Sequence, residues 1–102
     1  MPRYSEYAAA KAGVNAFMRS IAMEYGSKGI RCNCVSPGIV QRGTIDEILL
    51  KHIAKTNWLN SYGKPEDIAN MVAYLNSEAA SFITGQNFVI DGGRSLGLKG
   101  QT

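Results

Sequence analysis

Ile30-Arg31-Cys32-Asn33-Cys34-Val35-Ser36-Pro37-Gly38 is a short run rich in small apolar and β-branched residues, bounded by Gly29 and halted by Pro-Gly. Length, composition and punctuation predict a strand over Arg31–Val35 that ends in a loop. Working back toward the amino terminus, residues 4–25 are alanine-rich, and Val14, Phe17, Met18, Ile21, Ala22 and Tyr25 recur at helical spacing. They predict one helix with one buried stripe, opened near Ser5 and closed by Gly26 and Gly29.

Working forward, Ile45, Ile48, Leu49, His52 and Ile53 also have helical spacing, and Asp46 and Glu47 suit a first turn. A helix within residues 44–60 is expected, followed by a mobile segment around Trp58 and Leu59. Lys64-Pro65-Glu66-Asp67 then opens a long helix with Pro in its first turn and Ile68, Met71, Val72 and Leu75 as its apolar stripe, running to about Glu78. Thr84-Gly85 marks a turn, Asn87–Asp91 a second strand, and Gly92-Gly93 its end, while the glycine-rich tail from Leu96 reads as frayed. The order helix, strand, helix, helix, strand is an α/β rhythm with a parallel pair joined by a helical crossover. Two strands alone do not make a stable sheet of this class, so more strands are expected than the chain supplies.

The bulk composition excludes several function classes. With 45% apolar and 19% charged residues in a chain of 102, one ordinary globular core is expected and disorder is not. The net charge of +3 is spread from Arg3 to Lys99 without a basic run, which gives no reason to propose a nucleic-acid partner. No apolar run approaches the roughly twenty residues that span a bilayer, and MPRYSEY lacks the apolar core of a signal peptide, so a cytoplasmic chain without a membrane partner is expected. Cys32 and Cys34 fit neither a redox CxxC nor paired zinc ligands, and read as reduced packing residues. No metal site is expected.

The chemistry lies in Tyr7-Ala8-Ala9-Ala10-Lys11. Positions i and i+4 share a helical face, so the phenol and the ammonium can project side by side. A neighbouring cation favours the phenolate, as does the positive end of the helix dipole, and both lower the tyrosine's pKa toward useful proton exchange. The three alanines keep the surface small enough for a flat ligand or another helix to approach. A Y-x-x-x-K alone arises readily by chance in a chain with five tyrosines.

Three further blocks accompany it: Gly29-Ile30-Arg31-Cys32-Asn33 with Pro37-Gly38, Gly63-Lys64-Pro65-Glu66-Asp67-Ile68-Ala69, and Ile83-Thr84-Gly85-Gln86 followed by Asp91-Gly92-Gly93. In this order and spacing the chain resembles, over nearly its whole length, the carboxy-terminal half of the short-chain dehydrogenase/reductase family. The resemblance implies part of a doubly wound Rossmann-type parallel sheet, with residues 1–102 forming its carboxy-terminal half. It also implies an oxidoreductase that interconverts an alcohol and a carbonyl by hydride transfer with NAD or NADP. Tyr7 would be the acid/base, and Lys11 would lower its pKa and bind the nicotinamide ribose. Pro37, Gly38 and Ile39 would face the nicotinamide. The family usually carries a threonine where Arg42 stands here, with Thr44 two residues further on. Its glycine-rich TGxxxGxG turn, and the serine and asparagine upstream of the tyrosine, are not in this sequence.

The family also implies a homo-oligomer in which the Tyr7 helix packs against another subunit, and Trp58 and Leu59 match its substrate-covering segment, although packing would serve them equally. The competing reading is a non-catalytic fragment that self-associates or packs with a partner subunit through an open strand edge and the Phe17 and Met18 face. His52 has no partners for a triad, and Glu66 and Asp67 read as helix-start charges.

Overall fold

The computed structural model describes residues 4–38 and 46–97. Helix α1 (Tyr4–Tyr25), strand β1 (Cys34–Pro37), helices α2 (Glu47–Ala54) and α3 (Pro65–Leu75) and strand β2 (Asn87–Ile90) follow in order. Single 3-10 turns lie at Gly26–Lys28, Glu78–Ala80 and Arg94–Leu96. The strands pair in parallel, with Cys34 opposite Asn87 and Pro37 opposite Ile90. The fold is therefore α/β, and α2 and α3 form the crossover that a parallel pair requires.

β1 begins later than Arg31–Val35 predicts and includes the proline expected to stop it. Arg31–Asn33 lie beside a turn, not a strand: Arg31 Nη1 and Asn33 Nδ2 donate to the Ile83 carbonyl at 3.2 and 3.1 Å, and Cys32 N–H donates to Thr84 Oγ1 at 3.1 Å. Asn33 Oδ1 accepts from Gln86 N–H at 3.0 Å, and Gly85 N–H donates to the Cys32 carbonyl at 2.8 Å. At the two ends of the pair the amides of Cys34 and Gly38 donate to the Gln86 and Ile90 carbonyls, both at 2.9 Å. The nitrogen of Pro37 thus falls on the opposite edge, where the pair needs no donor from it.

α1 spans the predicted residues, and Gly29, at φ 78°, closes the turn behind it with its N–H on the Gly26 carbonyl at 3.0 Å. Lys28 Nζ stands 5.5 Å from the centre of the Tyr25 ring at the same end. The predicted buried stripe is only partly buried. Met18 and Ala22 are covered, Ile21 is half-buried, and Val14, Phe17 and Tyr25 face solvent. A two-stranded sheet is too narrow to cover the whole apolar face of a helix of 22 residues.

α2 starts where Asp46 Oδ1 accepts the Leu49 N–H at 2.8 Å, an N-cap. α3 starts at Pro65, with Asp67 Oδ2 accepting from Lys64 N–H at 2.8 Å. It ends at Leu75 and not near Glu78, because both the N–H and the hydroxyl of Ser77 donate to the Tyr74 carbonyl and turn the chain out of the helix. The described core consists of Met18, Ala22, Ile53, Leu75 and Ala80, with Ser36 and Asn57 as its buried polar residues.

Two expectations of disorder are corrected. The segment around Trp58 is tied down, with Trp58 N–H on the Gly92 carbonyl at 3.0 Å and Trp58 Nε1 on the Gly97 carbonyl at 2.9 Å. Leu96 belongs to an ordered turn, its N–H on the Gly93 carbonyl at 2.9 Å, while residues 98–102 lie outside the described range. Among the described residues no helix is long and apolar enough to cross a membrane.

Candidate active site

A recess of about 510 Å³ opens between α1 and β1. Tyr7, Lys11 and Val14 line it from the helix, and Cys34, Ser36, Pro37 and Gly38 line it along the strand to its carboxyl end. The one-turn spacing of Tyr7 and Lys11 puts both on the face of α1 that meets β1, and Ala10 between them keeps the wall low. Tyr7 is 64% exposed, so its hydroxyl is open to a ligand. Ser36 is buried below, its hydroxyl donating to Asn87 Oδ1 at 2.8 Å. The structure thus brings four of the five residues singled out by sequence into one concavity. The fifth, Ile39, lies outside the described residues, as do Arg42 and Thr44.

Gly38 closes the strand end of the recess against the other strand. A Cβ on it would lie 2.6 Å from the Cβ and 2.9 Å from the Cα of Asp91, so only glycine fits. Asp91 then organises the turn after β2: Oδ1 accepts from Gly93 N–H at 2.8 Å and Oδ2 from Ser95 N–H at 2.9 Å. Partial burial alone would raise the carboxyl's pKa, but the amides of Ser95, Gly93 and Arg94 and the Ser95 hydroxyl outweigh it, and Asp91 titrates below the ordinary carboxylate range. A carboxyl depressed on folding adds stability above its unfolded pKa and loses it as pH falls through the lower, folded value. The urea midpoint is accordingly expected to fall on acidification, and Asp91→Asn to remove that part of the slope; an unchanged slope would refute the role.

A larger cavity of about 600 Å³ lies elsewhere, among Ile53, Asn57, Tyr62, Met71, Tyr74 and Asp91. It holds neither Tyr7 nor Lys11, and its Asp91 carboxylate is already engaged by backbone amides. The smaller recess is therefore the better site for proton chemistry. Neither Trp58 nor Leu59 lines it, and Trp58 packs instead against Gly93. Cys34 lines the recess and Cys32 does not; both are free, half-buried thiols. His52 sits exposed in the last turn of α2. Sequence reasoning misses Asn57, because nothing near it in the chain marks it; its partner Gly92 becomes its neighbour only on folding.

The residues at the recess fit the nicotinamide end of a dinucleotide. Lys11 brings an ammonium donor suited to ribose hydroxyls, and Pro37 and Gly38 line the recess with it. In open α/β sheets, ligands bind outside the carboxyl ends of the strands, which is where this recess opens.

A parallel strand pair joined by a helical crossover, with α1 beside it, defines the class as α/β of the Rossmann type. A family model described as Enoyl-(Acyl carrier protein) reductase matches residues 1–95, and the chain belongs to the short-chain dehydrogenase/reductase family. It is 42% identical over 93 residues to a probable short-chain type dehydrogenase/reductase of Bradyrhizobium diazoefficiens, covering 87% of this chain and 33% of the relative. It is likewise 42% identical over 88 residues to the cyclohexanol dehydrogenase of an Acinetobacter species, covering 86% and 35%. A solved 4-hydroxyisoleucine dehydrogenase complexed with NADH and succinate superposes with a TM-score of 0.80 at 39% identity, over 91% of this chain and 39% of that one. The chain therefore spans between a third and two fifths of the length of these relatives.

Proposed function

We propose that this chain is the proton-transferring part of an NAD- or NADP-dependent oxidoreductase that interconverts a small alcohol and its carbonyl. The observation that carries the reading is the recess in which Tyr7 and Lys11 meet Pro37 and Gly38 at the carboxyl end of β1. The Tyr7 hydroxyl exchanges a proton with the substrate oxygen. Lys11 sets a positive charge beside that hydroxyl and donates to the ribose. The backbone of Pro37 and Gly38 would face a bound nicotinamide, a role that the family resemblance extends to Ile39, and Val14 and the small Ala10 leave room for an apolar substrate. A nicotinamide held there would supply or accept the hydride. The cyclohexanol and 4-hydroxyisoleucine dehydrogenases among the relatives support an alcohol as the substrate class.

The exposed side of α1, where Phe17 stands 68% and Met23 80% open, suits a second copy of the protein, and we include a homo-oligomer in the proposal. One preparation tests both parts. Reduced nicotinamide cofactor, titrated into the protein that contains this chain, is expected to gain fluorescence with micromolar affinity, and light scattering is expected to report an oligomer. Absence of binding to both NADH and NADPH refutes the oxidoreductase reading and leaves the non-catalytic one; a monomer refutes the assembly.

A further inference from the structure

α2 is an eight-residue helix that buries a single residue, Ile53, and leaves Ile48 and Leu49 open to solvent. Such a helix takes its position from its ends more than from its face. At its carboxyl end stands Asn57, 7% exposed, whose carboxamide is used from both sides. Oδ1 accepts from Leu59 N–H at 3.1 Å and from Ser61 N–H at 3.2 Å, an Asx turn extended by one more bond. Nδ2 donates to the Ser61 carbonyl at 2.6 Å and to the Ile53 carbonyl, the last turn of α2, at 3.4 Å. Asn60, at φ 55°, reverses the chain inside this knot, in a conformation that asparagine tolerates better than most residues.

The knot is seated on the turn after β2. Gly92, at φ 66°, leaves space that a Cβ would close to 3.0 Å from Asn57 Cγ and Oδ1. The next residue adds Trp58 N–H to the Gly92 carbonyl and Trp58 Nε1 to the Gly97 carbonyl. Gly92 follows Asp91, the residue against which Gly38 closes the recess. The carboxamide of Asn57 is therefore the joint between α2 and the carboxyl edge of the sheet.

Resting on the oxidoreductase reading, the geometry points to Asn57 as a positioning residue: it knots residues 57–61 onto Gly92 and so fixes α2 at the carboxyl edge of the sheet, the edge to which the recess extends. Misplacing such an element by even about 1 Å weakens productive substrate geometry without touching the proton-transfer groups.

The test is Asn57→Ala in the protein that contains this chain. Hydrogen exchange is expected to quicken over residues 47–54 as well as 57–61. KM for the alcohol is expected to rise by about tenfold, with kcat and cofactor affinity changed by less than about threefold. Asn57→Asp keeps the two acceptor bonds and loses the donors, and is expected to fall between. Gly92→Ala, which keeps the Asn57 side chain but crowds it off its seat, is expected to reproduce the effect and serves if Asn57→Ala does not fold. Faster exchange confined to residues 57–61 with KM unchanged overturns the proposal, since the knot would then serve only itself. If the unaltered protein shows no turnover with either cofactor, the oxidoreductase reading fails, and exchange over residues 47–54 still decides whether Asn57 fixes α2.

Discussion

Tyr7→Phe in the protein that contains this chain is expected to lower kcat by about 10²–10⁴-fold, the span that a positioned acid or base contributes, while leaving affinity for reduced nicotinamide cofactor within about twofold. The substitution removes one oxygen and keeps the ring. Because Tyr7 is 64% exposed on α1, the ring carries little of the core, and the described hydrogen bonds do not rely on its hydroxyl. A loss of turnover therefore reports the proton transfer and not a collapse of the helix. Lys11, which the proposal gives the ribose contact, is untouched, so cofactor affinity should persist. Steady-state kinetics beside a fluorescence titration separates the two quantities; turnover within about tenfold of the parent protein would remove Tyr7 from the mechanism.

The second large effect belongs to Gly38. Gly38→Ala would force a Cβ to within 2.6 Å of Asp91 Cβ and 2.9 Å of its Cα, where one contact is backbone and cannot swing aside. The strand ends must separate, which weakens the Gly38 N–H bond to the Ile90 carbonyl at 2.9 Å and pulls Asp91 from the turn it holds. Overpacking of this kind typically destabilises by about 1–3 kcal/mol. Gly13→Ala is the natural contrast, because that glycine lies within α1 with nothing within 4 Å of the added methyl. There the change is expected to stabilise by about 0.5–1 kcal/mol through helix propensity alone. Urea unfolding of the two variants should give opposite signs, and equal signs would show that the approach of the two strand ends is not tight.

These effects differ in how far the sequence announces them. Tyr7 and Lys11 are legible because their relation is local: four residues in a helix put two side chains on one face whatever the rest of the molecule does. The same holds for the limits of α1, for Asp46 at the start of α2, and for Pro65 and Asp67 at the start of α3, each written into adjacent residues as caps and stripes. Membership of the short-chain dehydrogenase/reductase family follows from four such local blocks taken in order.

Where the local pattern misleads, a distant partner is responsible. Arg31–Asn33 look like strand, but their bonds go to the turn at residues 83–86, so pairing starts at Cys34. Pro37 looks like a stop and is a strand residue, because its missing N–H faces away from β2. Trp58 looks like a mobile cover and is an anchor, because Gly92 and Gly97 offer it carbonyls.

Read by itself, the chain establishes its class and its helices and singles out the pair proposed for proton chemistry, since short-range periodicity and capping carry that information. The register of the sheet, the closure of Gly38 on Asp91 and the seating of Asn57 on Gly92 are decided only by tertiary structure. Each joins residues far apart in the chain, and whether a methyl group or a carboxamide fits there depends on tenths of an ångström that no local pattern encodes.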